Sequence, residues 1–235
     1  MAGIYRISEK ELQFLLMFTE HHGLYGLKEF PLINTKEEAA ECVMSLCEKG
    51  YLSLNQKKEC SIDSTLELLL AVAEKPYGYL LMEDLRRENV RAKTAVYFLD
   101  DVIGIIEQRD EAYELLWLPH LPLAIGEVAN IHSPFLNEKT ELLHELISDD
   151  DKSRMDTYLK AGFVWQWELW GNQLEDEEKK CSFFILSNGK EQVMIKEMNG
   201  KTVVNKPDKA AYVNAITEWM IYVHGKAIRK MNREE

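Results

Sequence analysis

His144-Glu145 opens like HExxH, a pattern in which two histidines one helical turn apart hold zinc and the glutamate activates water. Position 148 is Ser148, so the second ligand is missing. His21-His22 has no cysteine or carboxylate at ligand spacing and reads as a helix end. Asp149-Asp150-Asp151 and Glu175-Asp176-Glu177-Glu178 are contiguous acidic runs, whereas a calcium loop alternates its ligands and turns on a glycine at its sixth position. Neither GxGxxG, a P-loop nor GxSxG is present, and Ser187-Asn188-Gly189 is a turn with no helix behind it. The four cysteines, Cys42, Cys47, Cys60 and Cys181, form no CxxC pair. On a helix Cys42 and Cys47 would stand about 140° apart. They read as reduced, partly buried thiols, and no neighbour suggests an activated nucleophile. The sequence therefore predicts no catalytic residues, no metal, no cofactor and no enzyme.

What remains is surface chemistry. Val164-Trp165-Gln166-Trp167-Glu168-Leu169-Trp170 alternates like a strand. Strict alternation puts Trp165, Trp167 and Leu169 on one face and Val164, Gln166, Glu168 and Trp170 on the other. If helices cover one face, the other offers tryptophan to a partner, where that residue is enriched at binding hot spots. If helices cover both faces, all three tryptophans are core.

The total charge narrows the partner. The chain has 235 residues and a net charge of −12, which speaks against nucleic acid. Residues 1–132 hold 13 basic and 22 acidic side chains, a net of −9; the remainder holds 15 and 18, a net of −3. Such a first half suits a basic or neutral protein partner, or serves solubility alone. No apolar run reaches the roughly 18 residues of a membrane span. The start, Met1 to Arg6, lacks the layout of a signal peptide and reads as leading straight into a capped helix. The expected location is the cytoplasm.

The elements that must position these residues follow from caps and periodicity. Ser8-Glu9-Lys10-Glu11 is a capping box, followed by Leu12, Leu15 and Leu16 on one helical face, with His22-Gly23 as the stop. Phe30 to Ile33 reads as an extended link. Thr35-Lys36-Glu37-Glu38 is a second box, with Ala39, Val43 and Leu46 as its buried stripe, and Gly50 ends that helix. Tyr51 to Leu54 alternates as a short strand. A third helix runs from about Ser64 to Glu74, with Leu66, Leu69, Leu70 and Ala73 inward. Two helices and a Gly-Tyr-Leu strand look like part of a winged helix. The second helix carries Glu37, Glu38, Glu41 and Glu48, the wrong sign for entering a DNA groove. Asn137 to Ile147 and Asp151 to Ala161 read as two more helices.

A repeat organises the rest. From Tyr77 to Ile131 short strands turn at Asp100-Asp101, break at Gln108 to Glu111, and pass Pro119 and Pro122 into a helix from Leu123. From Phe163 to Met231 strands turn at Asn188-Gly189 and Asn199-Gly200, pass Pro207 and enter a helix capped by Asp208. Val213, Ile216, Met220, Val223 and Ala227 form that helix's inner stripe. The chain thus reads as a single domain of two related halves, 1–132 and 133–235, hinged at His132-Ser133-Pro134. Each half carries an antiparallel meander followed by a helix.

This order of parts resembles the EspG family, cytosolic chaperones of ESX, or type VII, secretion systems. The resemblance spans nearly the whole chain. It rests on layout and on Glu11-Leu12, Leu46, Gly50-Tyr51-Leu52 and the stretch from Val96 to Ile106. The chain is shorter than is usual there and would fit a Firmicutes-type relative. The resemblance implies a quasi-two-fold α+β fold with a central antiparallel sheet flanked by helices. It also implies a role in keeping a helical-hairpin substrate of the WXG or LXG kind, or a heterodimer, soluble for export. In the family the sheet face, the loop after the first meander strand and the C-terminal helices make the contact. Here these correspond to Trp165, Trp167 and Trp170, to the loop with Arg86, Arg87 and Arg91, and to the helix from Asp208. Two other functions stay open at this level. One is an immunity protein that neutralises a toxin through its acidic surface; the other is a regulator derived from a winged helix.

Overall fold

The computed structural model describes residues 4–27, 33, 35–56, 59–84, 92–99, 102–109, 112–131, 160, 164–172, 181–188, 192–198, 201–205 and 209–234. The expected link at Phe30 to Ile33 falls outside these except for Ile33. The hinge at His132 to Pro134 and the helix from Asn137 lie wholly outside, as does all but Lys160 of the helix from Asp151.

The chain begins with a strand where the sequence suggested a direct start into helix. Strand β1 (Ile4–Ser8) pairs antiparallel with β7 (Ala112–Leu118), Ile4 opposite Leu116 and Ser8 opposite Ala112. Helix α1 (Glu9–Phe18) follows at once. Ser8 accepts the Glu11 N–H at 3.2 Å and the Glu11 carboxylate accepts the Ser8 N–H at 2.7 Å, so the capping box is closed. The helix stops earlier than His22-Gly23: Thr19 is its C-cap, and Glu20 takes the left-handed turn at φ 59°.

Helix α2 (Lys36–Glu48) is capped by the Thr35 hydroxyl, which accepts the Glu38 N–H. Its buried residues are Cys42 and Leu46, while Ala39 and Val43 are only partly covered. Gly50, at φ 74°, releases the chain into β2 (Leu52–Leu54), which pairs with β3 (Cys60–Ile62) in a separate small sheet. Asp63 caps α3 (Ser64–Glu74) by accepting the N–H groups of Thr65 and Leu66.

Among the described residues the main sheet has nine strands in the order β1-β7-β6-β5-β4-β8-β9-β10-β11. Strands β4 (Gly78–Asp84), β5 (Ala92–Leu99), β6 (Val102–Arg109) and β7 form one meander, and α4 (Leu121–Ile131) follows. Strands β8 (Val164–Asn172), β9 (Cys181–Ser187), β10 (Gln192–Met198) and β11 (Lys201–Asn205) form the other, and the long α5 (Lys209–Glu234) follows. All pairings are antiparallel. The two meanders meet at β4 and β8 and run outward from that seam.

Alternation divides the sheet's side chains between two layers. Leu80, Met82, Val96, Phe98, Ile103, Ile105 and Ile185 pack with α4 and α5. Tyr79, Ala95, Tyr97, Ile106, Tyr113 and Leu115 pack with α1, α2 and α3. The stripe of α5 is wider than Ile216, Met220, Val223 and Ala227: Tyr212, Ala215 and Trp219 are also buried, and Val213 only partly. At Gly78 an added Cβ would come within 2.7 Å of a Val223 methyl, so the glycine sets how closely α5 approaches β4.

Candidate functional site

The tryptophan strand is central. Strand β8 lies between β4 and β9, with Trp170 opposite Leu81, Leu169 opposite Met82 and Trp167 opposite Asp84. Its pairing with β9 does not keep strict alternation. Trp165 stands opposite Leu186 and Trp167 opposite the adjacent Ile185, so a bulge falls between Trp165 and Trp167. Ile185 looks toward α5, whereas Leu186 packs with Phe184, Val193 and Ile195 on the other side. The backbone register expected from strict alternation is therefore interrupted between Trp165 and Trp167. A bulge adds one residue on one strand, and hydrophobic alternation alone cannot reveal it.

The neighbours of β8 are buried on both faces. Leu80, Met82 and Ile185 are covered on the α5 side, and Phe184 and Leu186 are covered on the other. What the register leaves is the end of the sheet. Asp84 is the Cα partner of Ala92 in β5 and of Trp167 in β8. Ser187 is the partner of Val164 and of Gln192. The end of β4, the start of β8 and the end of β9 therefore lie at the same end of the sheet. Strand β9 stops at Ser187 and β10 resumes at Gln192, so the first Asn-Gly hairpin has a four-residue connection. Arg86, Arg87 and Arg91 belong to 85–91 and lie outside the described residues. Trp170 sits three residues further into the sheet, opposite Leu81 and Ser182. Near this end Lys93 and Glu83 approach to 3.9 Å across the β4–β5 pair.

Several other polar pairs hold helices in place. His21 Nδ1 lies 2.7 Å from a Glu74 oxygen, and the other Glu74 oxygen accepts the His22 N–H at 3.0 Å. That N–H, opposed by partial burial and helped by His21, holds the Glu74 carboxyl below its ordinary value. This pair joins the end of α1 to the end of α3, and among the described residues no hydroxyl or thiol hydrogen-bonds to the ring. Tyr5 donates to Asp63 at 2.5 Å; burial, then that bond, pushes its hydroxyl pKa up to about 12. Burial, with the Glu11 carboxylate nearby, raises the Cys42 thiol, which makes it less nucleophilic. Among the described residues no group of three His, Cys, Asp or Glu side chains could hold a metal ion. Exposed apolar side chains include Met17 and Phe18 on α1, Leu68 on α3, Leu123 on α4 and Ile221 on α5. Phe18 stacks on Phe14 at 6.0 Å. No described helix is long and apolar enough to cross a membrane.

No protein-family model matches the sequence, and no curated protein does. Among solved structures, the chain is similar to one in the structure of the Mycobacterium tuberculosis type VII secretion system chaperone EspG5 in complex with the PE25-PPE41 dimer. The alignment covers 94% of this chain and 97% of that one, with a TM-score of 0.63 and 7% identity. At that identity the likeness is one of fold, and the fold of this chain is EspG-like.

Proposed function

We propose that this protein is a non-catalytic chaperone or adaptor of a type VII secretion system. It binds a helical secretion substrate in the cytoplasm and keeps it competent for export. The observation that carries this reading is the near end-to-end fold likeness to EspG5, a chaperone whose structure was solved in complex with a PE25-PPE41 dimer. A fold alone does not carry function. Two features of this chain point the same way: the polar groups described above tie helices together rather than assemble a catalytic constellation, and apolar side chains stand exposed on several helices.

The contact region is the one the family resemblance implies: the tryptophan strand and the loop after the first meander strand, with Trp165, Trp167, Trp170, Arg86, Arg87 and Arg91 as its residues. The partner is a secreted helical hairpin of the WXG or LXG kind, or a heterodimer of such proteins. The two meanders with their following helices are duplicated halves of one domain, 1–132 and 133–235.

Co-expression with secreted helical-hairpin proteins encoded beside its gene tests the reading. A stable complex is expected on size exclusion, and charge reversal at Arg86, Arg87 and Arg91 should reduce its recovery. If no such protein co-purifies, the proposal falls. The exposed carboxylates of Glu37, Glu41 and Glu48 along α2 favour one second reading, an immunity protein that neutralises a basic toxin. Suppression of a neighbouring toxin's lethality, with substrate export unaffected by deletion, would select it instead.

A further inference from the structure

An edge strand normally presents a row of unpaired N–H and C=O groups to any other strand. Among the described strands β1 is a terminal one, paired with β7 on one side only. On its other side three backbone groups, at Arg6 and Ser8, are bonded to side chains. The Arg6 N–H donates to the Tyr51 hydroxyl at 3.0 Å. The Arg6 carbonyl accepts from Lys49 Nζ at 3.2 Å. The Ser8 N–H donates to Glu11 at 2.7 Å. These groups belong to alternate residues, as expected for those pointing away from β7.

The three covering side chains are themselves fixed. Tyr51 is held through its own backbone, its N–H on the Leu46 carbonyl at 2.9 Å and its C=O accepting the Asp63 N–H at 2.9 Å. Its ring meets Tyr5 edge-on at 5.1 Å. Lys49 is clamped by both oxygens of Glu11 at 2.7 Å. Glu11 also accepts from Ser45 at 2.6 Å. One carboxylate thus caps α1, anchors α2 and holds the lysine against the strand edge.

We propose that Tyr51, Lys49 and Glu11 form a guard that closes the β1 edge to strand addition, and that without it a second copy of this chain pairs there. The second copy is the occupant because an exposed edge is a template for its own sequence at equal concentration. Ile4, 58% exposed at the outer end of β1, would gain cover from such pairing.

Amide exchange and sedimentation test this in the full chain. Tyr51→Phe removes one hydroxyl oxygen; the Arg6 amide should then exchange at least about tenfold faster, while Ile7 on the paired side stays unchanged. Lys49→Met with Tyr51→Phe should self-associate with rising concentration, and adding Arg6→Pro, which deletes the outward N–H, should return it to the wild-type state. Equal Arg6 exchange in wild type and Tyr51→Phe overturns the proposal. So does a folded double variant that sediments as wild type throughout, or association that persists with Arg6→Pro. If the double variant does not fold, the exchange comparison decides alone.

Discussion

On the face covered by α1, α2 and α3, charged and hydroxyl groups add links between elements to a hydrocarbon layer that includes Leu12, Leu15, Leu46, Leu66 and Leu70. Glu11 binds Lys49 and Ser45, Glu74 binds His21 and His22, Asp63 binds Tyr5, and Tyr97 donates to the Tyr25 carbonyl. On the face covered by α4 and α5, Ile216, Trp219, Met220, Val223 and Ala227 meet Leu80, Val96, Phe98 and Ile185 in one hydrocarbon layer. Three short helices share that layer, and directional bonds between elements add to their packing. One long helix over a twisted sheet is fixed by many non-directional contacts, and close packing suffices. Both faces should be sensitive to volume, and the first should in addition fail through lost partners and changed pH.

The largest effect is expected at Trp219, among the largest fully buried side chains of the molecule. Trp219→Ala should cost about 3–5 kcal/mol in urea denaturation, through transfer and cavity together. Its indole N–H is buried without a hydrogen-bond partner among the described residues. Trp219→Phe deletes that orphan donor along with some volume and should lose only about 1–2 kcal/mol. Equal losses for the two would mean that volume does not rule this face.

Glu11 is the matching point on the other face. Burial opposes its ionisation, but Lys49, Ser45 and the Ser8 N–H outweigh it and hold the carboxyl below its ordinary value. Glu11→Gln should cost about 2 kcal/mol at neutral pH, near the lower part of the range for a charged hydrogen bond, because Lys49 stays partly solvated. The sign of the pH dependence is fixed. A lowered folded-state value contributes stability that is complete above the unfolded value and is lost as pH falls through the folded one. The gap between wild type and Glu11→Gln should therefore close on acidification, while the Trp219→Ala gap stays open. Urea titrations from neutral pH down to about pH 3 compare them; parallel behaviour would dissolve the distinction between faces.

How much of this could be read from sequence follows the same division. The α5 stripe was legible because burial against one sheet leaves a 3.6-residue period; Trp219 escaped only because the stripe is wider than its central row. Helix α3 was legible to the residue because Asp63 and the apolar run from Leu66 are local signals. The capping box of Ser8 and Glu11 was legible, but its tie to Lys49, 38 residues away, was not. Strand β1 was missed because five residues pair with a strand more than a hundred positions on, and nothing local marks them. The candidate site shows the limit most clearly. Trp167 and Asp84, the last residue of β4, become cross-strand partners only through the β4–β8 register, which no periodicity encodes.

Gly78 tests the packed face from the opposite direction. Gly78→Ala puts a methyl 2.7 Å from a Val223 methyl and 3.5 Å from the Val223 carbonyl oxygen. Overpacking of this kind should cost about 1–3 kcal/mol. Val223→Ala in the same chain should recover much of it, because the collision is with one branched side chain. Without recovery in a double-mutant cycle, the cost would belong to the strand's backbone and not to the approach of α5.

The smallest effect is expected at Arg6, and it separates a side chain from its own backbone. The guanidinium pairs with Glu114 at 2.9 Å, but its side chain is 76% exposed, so solvent competes for both charges. Arg6→Gln should change stability by less than about 0.5 kcal/mol, as exposed ion pairs generally do. The Arg6 N–H and C=O are bonded to Tyr51 and Lys49, and glutamine at this position keeps both groups. The Arg6→Gln variant should thus keep slow exchange at position 6 while losing the Glu114 pair. Fast exchange there would mean that the ion pair, and not the hydroxyl and ammonium above it, keeps the strand edge closed.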